Sequence, residues 1–166
     1  QRGLDELSGR PSGSPIAALD QRLAAVLGGD AAKDAAELLA LGQRAYNTFR
    51  FAAAARLWGE ALAGDPALAE DREKQNAYNA ACAAALAGAG QGRDDSKPDD
   101  SDRAKFRGQA LAWLTSELDA WSALLESATP EEREAIAKTV SETLTHWQND
   151  SDLSWVRGEK IETLPE

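Results

Sequence analysis

The clearest indication of the fold comes from residues 38–66, LLALGQRAYNTFRFAAAARLWGEALAGDP. Apolar residues recur in this stretch at three- and four-residue spacing, which is typical of helices that bury one face. Residues 48–50 interrupt the pattern and predict a turn. Residues 64–66 predict the end of the second helix, because the residue before a proline disfavours helical geometry. The stretch therefore predicts one helix to about residue 47 and a second over 52–63. The pattern is carried by Leu38, Leu41, Gly42, Ala45, Ala54, Trp58, Ala61 and Pro66.

The spacing of these residues resembles the tetratricopeptide repeat, a 34-residue helix pair with the pattern W-x2-L-G-x2-Y, A-x3-F and P. Residues 35–66 give L-x2-L-G-x2-A, then A-x3-W, A and P. Leucine replaces the first aromatic residue and Ala45 replaces the tyrosine, but the spacing is kept. The resemblance implies an all-α superhelix in which Gly42 faces Ala54 where the helices cross, and Trp58 fills the space beside them.

The alanine-rich stretch AYNAACAAALAG, residues 77–88, resembles the first helix of a second unit, where the family often has Y-N-L-A-C-x-x-A-x-x-G. We expect this helix to restart near Glu70 and to end at Gly88. Residues 89–102 contain no large apolar residue and predict a long exposed loop inserted within the repeat. A long helix follows from about residue 102 to 127, and its QALAWLTSELDAW stretch supplies the second helix of the unit. The predicted units are thus 35–66 and 69–127.

Further segments flank the two units. Residues 1–15 predict a linker or disordered lead-in, and 16–27 predict a helix. Asp34 followed by Glu37 resembles a capping box at the start of the first unit. Thr129, a proline and Glu132 form a strong helix start, so residues 130–157 are expected to form capping helices. No alternating strand pattern exceeds four residues, so 16–166 is expected to be one all-α domain.

The order of four segments resembles the C-terminal helical region of large bacterial serine/threonine protein kinases. These segments are AAAARLWGEALAGDPALAED, YNAACAAALAGAGQGRD, ALAWLTSELDAW and HWQNDSDLSWVR. The resemblance covers about residues 19–165 and implies a bacterial signalling protein as the parent. The sequence contains no kinase phosphate loop with its lysine strand, no H-R-D and no D-F-G, so the resemblance carries no kinase chemistry.

The composition limits the classes of partner that the chain is expected to bind. The net charge is −10, and an acidic chain argues against nucleic acid and anionic membrane surfaces. No run of eighteen uncharged apolar residues predicts a membrane span. The single cysteine cannot form an internal disulfide and no signal peptide pattern opens the chain, so we expect a cytoplasmic location. The sequence contains no methionine, which predicts a fragment or a processed product.

Few residues are candidates for catalysis, phosphate binding or metal binding. Cys82 and His146 are the candidates for a nucleophile and a base, but they lie on separate predicted helices, which favours a buried cysteine and a surface histidine. Gly88, Gly90 and Gly92 follow a helix and precede acidic residues, so they predict a helix stop and not a phosphate loop. The aspartates of residues 94–102 lack the glycine and glutamate of an EF-hand loop. We therefore expect no enzyme, no metal and no cofactor.

A protein or peptide partner is the leading hypothesis, since the first helices of stacked pairs line a concave groove. The resemblance implies these groove residues: Leu39, Gln43, Tyr46, Asn47, Gln75, Tyr78, Asn79, Cys82 and Leu86. The lysine and arginine positions of the chaperone-tail-binding subclass hold other residues, so we expect no carboxylate clamp. The alternative is a structural helical cap on the parent protein, with flanking helices filling the groove, because two units are fewer than a stable array usually needs.

Overall fold

The computed structural model describes residues 14–156, and every regular element in that range is helical. The elements are α1 (Pro15–Leu27), α2 (Ala35–Asn47), α3 (Phe51–Gly64), α4 (Ala67–Glu70), α5 (Asn76–Gly88), α6 (Asp100–Ser127), α7 (Pro130–Asn149) and a 3-10 helix (Ser151–Leu153). With no strand in residues 14–156, the prediction of an all-α fold is confirmed. α2 packs on α3, α3 on α5 and α5 on α6. None of these helices is long and apolar enough to cross a membrane.

α1 begins inside the segment that was predicted as a lead-in. The Ser14 hydroxyl accepts a hydrogen bond from the backbone N–H of Ala17 at 3.2 Å, and Pro15 is the first helical residue. A serine cap followed by proline is a favourable helix start, because the cap satisfies one free N–H and proline lacks the donor that would be unpaired there. The predicted lead-in therefore overlaps the helix by one residue, Pro15, and its first thirteen residues lie outside the described range.

An ion pair joins α1 to α2. Arg22 Nε donates to Glu37 Oε1 at 2.8 Å, and Glu37 Oε2 accepts the backbone N–H of Lys33 at 2.7 Å. The arginine first, and then this backbone donor, lower the pKa of Glu37 to about 2. Half of the predicted capping box is present: Asp34 accepts the N–H of Glu37 at 2.8 Å, whereas the Glu37 carboxylate binds Arg22 and Lys33.

The indole ring of Trp58 packs against Gly42 where α2 and α3 cross. A Cβ atom added to Gly42 would lie 2.8 Å from both Cδ1 and Nε1 of Trp58. The Trp58 indole N–H donates to the carbonyl oxygen of Leu39 at 3.2 Å, which fixes the ring in place. Close approach at Gly42 was predicted, and the three atoms nearest to an added Cβ atom all belong to Trp58.

α5 is the most buried helix of the described chain. Residues 80–88 are all buried, and alanine at most of these positions lets α3 and α6 approach closely. A Cβ atom on Gly88 would lie 2.7 Å from Cγ of Arg107 on α6. The helix begins at Asn76, not near Glu70 as predicted, because Gln75 adopts a left-handed conformation with φ of 51° and separates α4 from α5.

Residues 89–99 connect α5 to α6, and they are not simply the exposed loop that was predicted. Asp94 accepts the backbone N–H groups of Ala52 and Ala53 at 3.1 and 2.9 Å. The residue before α3 supplies no side-chain cap, so Asp94 caps this helix from a distant part of the chain. The backbone N–H of Arg93 also donates to the carbonyl oxygen of Phe49 at 2.6 Å. The inserted loop thus holds the start of α3.

α6 and α7 form the more exposed part of the fold. α6 begins at Asp100, slightly before the predicted start, and Ala110 is its buried residue. The capping box of Thr129 and Glu132 at the start of α7 is present as predicted. Trp147, near the end of α7, is buried and anchors this helix to the core. That anchor brings the residues after α7 onto α2 and α5.

Candidate functional site

The first helices of the two predicted units face a common cavity of about 220 Å³, which we call the groove. The groove is lined by these predicted residues: Gln43, Tyr46, Gln75, Tyr78, Asn79 and Cys82. Its other lining residues are Trp58, His146, Asp150 and Asp152. Since α2, α3, α5, α7 and the residues after α7 all contribute, the groove exists only in the folded chain.

Residues 150–156, which we call the closing segment, lie against the two tyrosines of the groove. The Tyr78 hydroxyl donates to Asp150 Oδ2 at 2.5 Å. The Tyr46 hydroxyl donates to the Asp152 carboxylate. Hydrogen bonds to an ionised acceptor are shorter and stronger than neutral ones. One tyrosine from each predicted unit is thus held by one carboxylate of the same short segment.

Aromatic and apolar contacts support these hydrogen bonds. The Tyr78 ring stacks on Trp147 with ring centroids 5.3 Å apart and an interplanar angle of 10°. It also lies 5.6 Å from the His146 ring. Leu153 of the closing segment is only 2% exposed and belongs to the main core cluster. The closing segment is therefore part of the packed structure and not a tail resting on its surface.

The closing segment has its own internal order. Asp150 Oδ1 accepts the backbone N–H of Asp152 at 2.9 Å, and the N–H of Asp150 donates to the carbonyl oxygen of His146 at 2.9 Å. An aspartate that bonds the backbone two residues on stabilises a tight turn. This turn directs both carboxylates of the segment toward the tyrosines.

The environment of the groove keeps its acidic O–H and S–H groups protonated. Burial, and then the hydrogen bond to Asp152, raise the pKa of Tyr46 above its ordinary value. Burial and Asp150 do the same for the pKa of Tyr78. Burial first, and then the charge of Asp150, raise the pKa of the Cys82 thiol to about 12. These groups act as neutral donors at neutral pH.

Three predicted groove residues lie elsewhere. Leu39 is half-buried in the main core, and its backbone oxygen accepts from Trp58. Leu86 is buried in a separate small cluster with Phe51. Asn47 is exposed and accepts a hydrogen bond from Gln43 at 3.0 Å, one helical turn away.

The acidic lining residues could hardly be predicted from local sequence patterns. Asp150 and Asp152 lie beyond the predicted units, in a stretch that local patterns predict only as a turn and a short helix. The available signal was the D-x-D spacing immediately after a helix that ends in His146 and Trp147. Nothing in that spacing identifies the tyrosines as partners, because they are more than seventy residues away.

The groove brings together the cysteine and histidine that were considered as a nucleophile and a base. A thiol nucleophile requires a lowered pKa, and that of Cys82 is raised. His146 is largely exposed, and its Nε2 lies 3.7 Å from Asp150 Oδ2. The carboxylates of Asp150 and Asp152 each accept a hydrogen bond from a tyrosine hydroxyl. Within residues 14–156, no three His, Cys, Asp or Glu side chains are placed to hold a metal ion.

Comparison with known proteins found no matching protein-family model, curated protein or solved structure. The tetratricopeptide and kinase resemblances therefore stay predictions that are supported by the residues quoted above.

Proposed function

We propose that this chain is a non-catalytic helical scaffold, built from two tetratricopeptide-like helix pairs, that closes its own groove. In this proposal α2–α3 and α5–α6 are the two pairs, and α7 with the closing segment caps them. The packing of α3 on both α2 and α5 supports the stacked arrangement. This is the structural-cap alternative from the sequence, and the hydrogen bonds that engage both groove tyrosines favour it over a groove open to peptides.

One observation carries the proposal: Tyr46 and Tyr78 both donate to carboxylates of the closing segment. In a peptide-binding repeat these side chains would be free to meet a ligand. Here Asp150, whose side chain is 17% exposed, accepts from the Tyr78 hydroxyl as well as from the N–H of Asp152. A scaffold gains from such a contact, because a partly buried carboxylate that keeps its hydrogen bonds stabilises the cap, and loss of the Tyr78 donor would weaken it.

The test is a double-mutant cycle on the full chain. Tyr78→Phe and Asp150→Asn should each lower the free energy of unfolding by about 2 kcal/mol, since each breaks a hydrogen bond to a charged group. The double variant should recover at least about 1 kcal/mol of the summed loss. Asp119→Asn, at an exposed position of α6, is the matched control and should change stability by less than about 0.5 kcal/mol.

Hydrogen exchange separates a structural role from a local contact. If the closing segment locks the scaffold, Tyr78→Phe should speed amide exchange throughout α2 and α5. Faster exchange confined to residues 150–156, together with a coupling below about 0.5 kcal/mol, would contradict the scaffold role.

A second candidate function is a protein-interaction module of a larger, cytoplasmic bacterial signalling protein of the kinase type. The space that remains in the groove favours it, since Gln43 and Gln75 are exposed at a cavity of about 220 Å³. Affinity purification of the intact parent protein, with and without residues 14–156, tests this function. A partner that is lost with the deletion, and also with Gln43→Ala plus Gln75→Ala, would support it. Retention of every partner after the deletion would exclude it.

A further inference from the structure

The closing segment indicates which chemistry the groove recognises. We propose that the tyrosines of the groove bind an Asp-x-Asp-Leu segment of a partner protein, and that residues 150–153 bind them in cis as a copy of that ligand. The inference goes beyond the scaffold role, because it assigns a ligand class to the surface that the scaffold keeps closed.

The hydroxyl donors of the groove match the carboxylate acceptors of the closing segment. The two tyrosine hydroxyls come from different helices, α2 and α5, yet they meet carboxylates only two residues apart in one segment. The turn in which Asp150 accepts the N–H of Asp152 produces this spacing. Each tyrosine has its own carboxylate here, and an amide side chain would give up the charge that strengthens both bonds.

An apolar side chain, Leu153, lies next to the carboxylates in the sequence and anchors the closing segment. Leu153 directly follows the second aspartate and is nearly completely buried against the main core cluster. Burial of a leucine side chain stabilises a bound segment about as much as two such hydrogen bonds do. The recognised pattern therefore combines two carboxylates with a leucine at the next position.

The charges of the lining residues indicate how the groove holds a carboxylate. The residues that line the groove include no lysine and no arginine. Its carboxylates are bound by neutral hydroxyl donors, with His146 Nε2 at 3.7 Å from Asp150 Oδ2. Binding should then depend on geometry more than on long-range attraction, and salt should affect it weakly. This distinguishes the site from a lysine–arginine carboxylate clamp, which the sequence also did not predict.

In this proposal residues 150–153 compete with an external ligand for the same tyrosines. While residues 150–153 are bound, only a small fraction of molecules offers free tyrosines, and the apparent affinity for a ligand in trans falls by that fraction. Weakening the cis contact without removing the tyrosines should uncover the site. The full chain with Asp150→Asn plus Asp152→Asn provides this state, because asparagine keeps the size of the side chain and removes its charge.

The experiment uses a fluorescent peptide of residues 148–156, QNDSDLSWV, and fluorescence anisotropy. The Asp150→Asn/Asp152→Asn chain should bind this peptide at least about tenfold more tightly than the wild-type chain. The affinity should change by less than about threefold between roughly 50 and 300 mM salt. Adding Tyr78→Phe to the double variant should abolish the gain, and the control peptide QNNSNLSWV should not bind.

Several results would overturn the proposal. Equal binding of the aspartate and asparagine peptides would show that the carboxylates are not recognised, and no gain over the wild-type chain would show that the groove has no site to uncover. Association of the wild-type chain with the double variant in analytical ultracentrifugation would identify a second copy of this chain as the ligand, against the partner proposed. Circular dichroism checks the fold of the double variant.

If the double variant fails to fold, Asp152→Asn alone provides the same test, because Asp150 then still orders the turn. It should bind the aspartate peptide about threefold more tightly than the wild-type chain does, and no difference would again refute the site. The scaffold proposal is judged separately, by stability and hydrogen exchange, so the two proposals can fail independently.

Discussion

Replacing Gly42 with alanine should destabilise the chain, whereas replacing Gly108 with alanine should stabilise it. Both glycines lie inside helices, α2 and α6, where alanine is favoured over glycine by about 0.8–1 kcal/mol. Gly108 is exposed, and an added Cβ atom meets nothing within 4 Å. Gly108→Ala should therefore gain about 1 kcal/mol.

The same methyl group at Gly42 has no room. It would lie 2.8 Å from two atoms of the Trp58 indole, and that ring is 3% exposed and bonded to the Leu39 carbonyl oxygen. Overpacking of this kind costs about 1–3 kcal/mol. After the gain in helix propensity, Gly42→Ala should lower the free energy of unfolding by up to about 2 kcal/mol.

Urea unfolding of both variants measures the difference directly. The gap between them should be about 2 kcal/mol, or roughly 4–8 °C in Tm for a chain of this size. Trp58→Phe should relieve the clash, so that Gly42→Ala costs at least about 1 kcal/mol less in that background. Equal stabilisation by the two alanines would refute the close approach of α2 and α3 at Trp58.

Two further predictions concern the loop and the thiol. Asp94→Ala should lower the free energy of unfolding by about 1–2 kcal/mol, because α3 loses its cap, whereas Asp95→Ala, at a side chain 80% exposed, should change it by less than about 0.5 kcal/mol in the same urea unfolding experiment. A Cys82 pKa raised from 9.0 to about 12 gives stability that is fully present below pH 9 and is lost as the pH rises toward 12. Wild-type chain should therefore lose about 1 kcal/mol more than Cys82→Ala between about pH 8 and 10, and parallel pH profiles of the two would contradict the raised pKa.

Local patterns in the sequence were sufficient for most of the helices. The apolar periodicity around Leu41 and Trp58 and the caps at Asp34 and Thr129 act over a few residues, so they can be recognised without the fold. The start of α5 was missed because glutamine is not a residue that marks a left-handed turn, yet Gln75 adopts one. Tertiary packing overrides local preference at that position.

The contacts that close the groove could not be predicted in the same way. Asp94 bonds groups 41 and 42 residues away, and Asp152 bonds Tyr46 across 106 residues. In the sequence these aspartates look like any other solvated acid in a loop or turn. The repeat pattern did place Tyr46 and Tyr78 on a common groove, but it carried no information about which residues would fill it.

The separation of 106 residues between Tyr46 and Asp152 also sets the delay between their synthesis on the ribosome. Ribosomes add roughly 5–20 residues per second, so Asp152 is joined to the chain on the order of 5–20 s after Tyr46. Helix pairs form in far less time than that. During synthesis, the tyrosines of α2 and α5 therefore lack their aspartate partners for several seconds, and that interval is long enough for a chaperone or a partner to reach the tyrosines before these aspartates are made.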